Sequence, residues 1–135
     1  MAAKSSIADL VYEIRAPLLF AMGWMILGIV SYASIPESPI ADAVSLAVRV
    51  IIVAVAGFLA TFRRKFGLVG AAAAGAIVNF AEHVLVKGGW FLLTGETAAA
   101  GGVAISYVMF VWAALLIGAF GGALGIVARR KHAAI

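Results

Sequence analysis

The segment NFAEHVLVK, Asn79 to Lys87, places an amide, a carboxylate, an imidazole and an amine within nine residues of a strongly apolar chain. Glu82 and His83 are side chains that take up and release protons, and Arg49, in the preceding apolar run, adds a fixed positive charge. Such a set suits one of two tasks. It can bind a proton or small ion on a polar path, or it can form an ion pair that fixes how helices sit together.

Spacing says which of these groups converge. On an α-helix with Gly75 set to zero and ~100° per residue, Asn79 falls near ~40°, Glu82 near ~−20° and Val86 near ~20°, while His83 and Lys87 swing to about 80° and 120°. Asn79 and Glu82 thus share the face of Gly75, the face expected to meet other helices. His83 is expected to turn away, so one helix cannot present Glu82 and His83 to a single metal ion. His132 lies in the tail, which leaves no pair of axial haem ligands, and there is no HExxH spacing. No metal and no cofactor are expected.

The chemistry of an enzyme is also missing from the pattern. There is no cysteine, no P-loop, no dinucleotide fingerprint and no nucleophile elbow, and Ser45, Thr61 and Ser106 have no base nearby. Hydroxyls in membrane helices commonly bond back to their own helix. The chain is read as non-catalytic.

The elements that must carry these residues follow from composition. Of 135 residues, 65% are hydrophobic and only 12% charged, with a mean hydropathy of +1.14, whereas soluble domains carry about 25% charge. A lipid bilayer is therefore the solvent. Apolar runs cover about 16–35, 43–62, 67–87 and 103–128, each long enough for a crossing of ~20 residues. The expected fold is all-α: one domain of four transmembrane helices in two antiparallel hairpins, because the loops between them are short.

Basic residues set the expected orientation, since Lys and Arg near helix ends stay cytoplasmic. Lys4, Arg15, Arg63, Arg64, Lys65, Arg129, Arg130 and Lys131 fall on one side; Glu37, Asp42 and Glu96 fall on the other. Both termini are expected in the cytoplasm, in a multi-pass protein of a bacterial or archaeal cytoplasmic membrane. The net charge of +4 is then a topology signal that also suits anionic headgroups. It gives no support to nucleic-acid binding.

At the start of the chain, Leu18 to Val30 followed by Ser31-Tyr32-Ala33 has some features of a cleaved signal, but Asp9 and Glu13 spoil the basic leader, and the run is read as a retained helix. Before it, Ile7, Leu10, Val11 and Ile14 recur at helical spacing, with Ser6 and Asp9 placed like a capping pair, and predict a short amphipathic helix joined to the first span near Pro17. Lys87 followed by Gly88-Gly89 reads as the outer end of the third span, and Trp90 to Leu93 as an interfacial anchor.

Small residues give the packing. Gly118 with Gly122 and Gly121 with Gly125 form overlapping small-xxx-small pairs in the last span, and Gly67, Ala71 and Gly75 form a series in the third. Counting ~1.5 Å per residue from the boundary shared by the second and third spans puts Arg49 and Glu82 both roughly 20 Å up, so they can pair. The function expected from these features is an oligomeric transporter or channel for protons or small ions, with a path around Glu82, Arg49, Asn79, His83 and Lys87. The other reading is an accessory or scaffold subunit docked to further membrane subunits through the glycine faces.

Overall fold

A computed structural model describes residues 7–31, 39–63, 66–95 and 97–134. Among the described residues the secondary structure is helical, without strands: α1 (Ile7–Glu13), α2 (Arg15–Ser31), α3 (Pro39–Phe62), α4 (Leu68–Phe80), a π-helical turn (Ala81–Val86), α5 (Lys87–Thr94) and α6 (Thr97–Ala134). Three stretches are long and apolar enough to cross a membrane, Ala43–Phe62, Leu68–Trp90 and Phe110–Lys131. A fourth crossing is present if α1 and α2, which are bent by 72° relative to one another, count as one span. With 17 residues, α2 alone rises ~25 Å, a little short of a typical hydrocarbon core.

The core explains which face each helix buries. In α3, Ile52, Val53, Ala56 and Ala60 are buried at the three- and four-residue spacing of one helical stripe. Ala71, Ala74, Gly75 and Val78 do the same in α4. These stripes are small, so the backbones come close. A Cβ added at Gly57 would meet the carbonyl of Gly118, one at Gly121 the carbonyl of Ala54, and one at Gly75 the carbonyl of Ala114. The pairings fix direction: along α3, Arg49 lies by Phe110, Gly57 by Gly118 and Thr61 by Gly122, so α3 and α6 run parallel, while in α4 Gly75 lies by Ala114 and the earlier Ala71 by Gly118, so α4 runs antiparallel to both. Large apolar side chains such as Leu46, Ile51, Val69, Leu116 and Phe120 point outward, as lipid-facing positions do.

Two details correct the reading of the glycines. Gly67 takes no part in the seam: it is exposed, sits at the N-cap of α4 with an extended backbone, and has no neighbouring atom within 4 Å of an added Cβ. Gly57 is instead central, although it has no glycine four residues on, where Thr61 stands. The Thr61 hydroxyl, of a kind that commonly bonds back to its own helix, lies 2.7 Å from the carbonyl oxygen of Gly122 and farther from those of Gly57 and Phe58, at 3.4 and 3.2 Å. A hydroxyl has one proton, and the short contact across the helices takes it.

Helix ends also differ from expectation. Gly88 and Gly89 do not stop the third span; helix continues to Thr94, and Gly95, at φ 71°, ends it in the left-handed conformation that glycine adopts without strain. Helix α6 begins at Thr97, well before residue 103. At the other end of the bundle, α1 packs on α2, α3 and α4 through Leu10, with Ile14 buried at the bend. Ile7 stays outside. Arg15 donates to the Tyr12 carbonyl at 2.7 Å and lies over the Tyr12 ring at 4.0 Å. Ser6, Tyr32, Glu37, Arg64, Lys65 and Glu96 lie outside the described residues, as do the side chains of Asp42, Lys87, Tyr107 and His132.

Candidate functional site

Arg49 occupies the same stripe of α3 as Ile52, Val53 and Ala56, one turn beyond the last apolar member, so packing that stripe necessarily turns the guanidinium toward α4 and α6. Glu82 continues the α4 stripe one turn past Val78. The two meet: Arg49 Nε donates to Glu82 Oε2 at 2.9 Å. Glu82 is 2% exposed and Asn79, one turn earlier on the same face, 3%. The Arg49 side chain keeps 22% exposure. The level heights counted from sequence are thus realised as a contact.

His83 departs from the helical-wheel expectation. It is 0% exposed, and its Nε2 lies 2.6 Å from Arg49 Nη2. Consecutive residues of an α-helix diverge by ~100°, but Ala81 to Val86 form a π turn, whose i→i+5 bonding widens the helix and narrows that divergence. Glu82 and His83 therefore address one guanidinium from adjacent positions. Such turns occur mostly as single interruptions of α-helices and often at working sites.

Phe110 of α6 completes the enclosure. Its ring stacks on the His83 imidazole, with centroids 5.7 Å apart and planes 9° from parallel, and Arg49 Cζ lies 5.2 Å from the same ring. Sequence reading had no means of reaching Phe110, one of eight phenylalanines, without knowing that α6 lies level with Arg49. Of the residues expected to line a path, Arg49, Glu82 and His83 come together, Asn79 is buried one turn away, and the Lys87 side chain falls outside the described residues. Among the described residues no group of three or more His, Cys, Asp or Glu side chains is placed to hold a metal ion.

The chemistry of the set follows from its donors and acceptors. A guanidinium has only N–H donors, so both short contacts are donated by Arg49, to a carboxylate oxygen and to an imidazole nitrogen. Two proton-accepting side chains thus share one permanent cation away from water. Comparison with family models, with curated proteins and with solved structures finds no match.

Proposed function

We propose that this is a small, non-catalytic, multi-pass membrane protein that assembles with copies of itself and carries protons or small ions past the Arg49, Glu82 and His83 cluster. Asn79 and Lys87 extend the polar path on either side. In this reading the bent α1 and α2 together supply a fourth crossing, and both termini face the cytoplasm of a bacterial or archaeal cell, where Arg63, Arg64, Lys65, Arg129, Arg130 and Lys131 are retained.

The observation that carries the reading is the burial of Glu82 and His83 on one guanidinium, inside a stretch long and apolar enough to cross a bilayer. Ionisable groups at that depth are costly and mark pathways by default. Reconstituted into liposomes, the protein moves protons or a small ion, and Glu82→Gln abolishes the movement. A folded wild-type protein that moves neither ends the proposal.

A second reading rests on the Arg49 to Glu82 contact as a structural tie: the chain is an accessory subunit in which the ion pair sets helix register, with its docking face elsewhere than the glycine faces, which the chain's own helices fill. Gentle extraction and native mass spectrometry separate the two. Copies of this chain alone support transport, and an unrelated subunit supports the accessory role.

A further inference from the structure

The contact between Arg49 and His83 constrains the imidazole more tightly than its burial does. Arg49 Nη2 can only donate, so His83 Nε2, 2.6 Å away, must present its lone pair. The ring is then neutral, with its proton on Nδ1. In that state the cluster is balanced, one guanidinium against one carboxylate, with the imidazole as a second acceptor.

We propose that His83 is the proton-binding group of this site and that its protonation state decides whether α3 is held to the π turn by two contacts or by one. A proton delivered by hydronium adds to the lone pair of Nε2: one O–H bond breaks and leaves water, one N–H bond forms, and the hydrogen bond from Arg49 Nη2 is displaced. The imidazolium and the guanidinium then repel, while Arg49 Nε keeps its contact with Glu82 Oε2. Loss of the proton returns it to water and restores the second contact. This assignment builds on the reading of the cluster as a proton path and names the residue and the ion that work it.

The surroundings of His83 let this exchange dominate. From α3 the facing charge is Arg49, with Asp42 about two turns further along; on its own turn it is Glu82. Helix α2 packs against the same turn and has no ionisable residue between Ala16 and Ser31. Helix α4 contributes the uncharged Asn79, and α6 the Phe110 ring, with Tyr107 its only other titratable residue in that half. Lys87 begins α5 four residues on. The stacked phenylalanine can accept a cationic ring as well as a neutral one, since an aromatic face attracts positive charge.

The test is nitrogen NMR of the His83 ring in a His132→Gln protein, which leaves one imidazole, in nanodiscs across the pH range over which the fold persists. The Nδ1–H tautomer at alkaline pH, converting to imidazolium on acidification, is the expected result, together with its loss in His83→Gln. Glutamine offers Arg49 an acceptor at a similar position, so that variant stays folded and insensitive to pH. An Nε2–H tautomer at alkaline pH overturns the assignment, and so does a ring that never becomes imidazolium while the protein remains folded. Proton flux in liposomes separates this assignment from the wider one. Titration without flux leaves His83 a proton site and removes transport; flux with a silent His83 does the reverse.

Discussion

Arg49 and Glu82, 33 residues apart in sequence, meet at 2.9 Å, and the two partners are unequally enclosed. Glu82 is nearly sealed, while the arginine retains a solvent- or lipid-facing edge. Removing one partner of a buried pair leaves the other charge behind, at a cost of about 3–5 kcal/mol when burial is complete. Arg49→Ala strands the deeper group and takes a hydrogen bond from His83 as well, so it destabilises by about 3 kcal/mol or more. Glu82→Ala costs less, because the long arginine stem can carry its head toward the interface. Unfolding in detergent of both single variants and the double variant checks this, with a coupling of about 1–3 kcal/mol expected from the cycle. Additive effects contradict it.

The glycine seam gives a sharper contrast. At Gly57 and Gly121 an added methyl meets backbone of the neighbouring helix, which cannot rotate away, so each change to alanine forces helices apart and destabilises by roughly 1–3 kcal/mol. Gly88 has nothing within 4 Å of such a methyl. Gly88→Ala is therefore neutral or stabilising by up to ~1 kcal/mol through helix propensity. Thermal unfolding of the three variants in one detergent decides the point.

Thr61→Val preserves shape and removes the hydroxyl that reaches the Gly122 carbonyl at 2.7 Å. Hydrogen bonds between membrane helices average ~0.6 kcal/mol and reach ~1.7 kcal/mol. The expected loss lies in that range, below the effect of Gly57→Ala. A larger loss for Thr61→Val would make the hydroxyl, not the close backbone approach, the main tie between α3 and α6.

Orientation is testable on a background without cysteine. Lys131→Cys and Glu96→Cys proteins, treated in intact cells with a membrane-impermeant maleimide, separate cleanly: Glu96→Cys is labelled from outside, and Lys131→Cys only after the cells are opened. The opposite pattern inverts the proposed topology.

Much of the fold was legible because long apolar helices leave a coarse signal. Apolar runs, turn residues and basic flanks located the three stretches long and apolar enough to cross a membrane, and equal helix rise brought Arg49 level with Glu82 before any contact was known. What sequence did not convey were departures from ideal α geometry and partners on distant helices. The π turn rotated His83 inward, since nothing in AEHVLV announces i→i+5 bonding. Gly57 and Phe110 acquire meaning only once α3 and α6 lie side by side. Gly67 shows the converse: correct spacing, but a place at the helix mouth where no neighbour approaches.

Arg129 belongs to the basic end of α6, yet its Nη1 donates to the Thr61 carbonyl at 2.6 Å, on the terminal turn of α3 whose carbonyls lack partners within their own helix. One of the charges on which the proposed sidedness rests is thereby also a clasp between α3 and α6. On the proposed topology, orientation and helix assembly are consequently not separable for this residue: exchanging it for a neutral side chain weakens the retention signal and opens the clasp together, whereas the same exchange at the exposed Arg130 touches only the first.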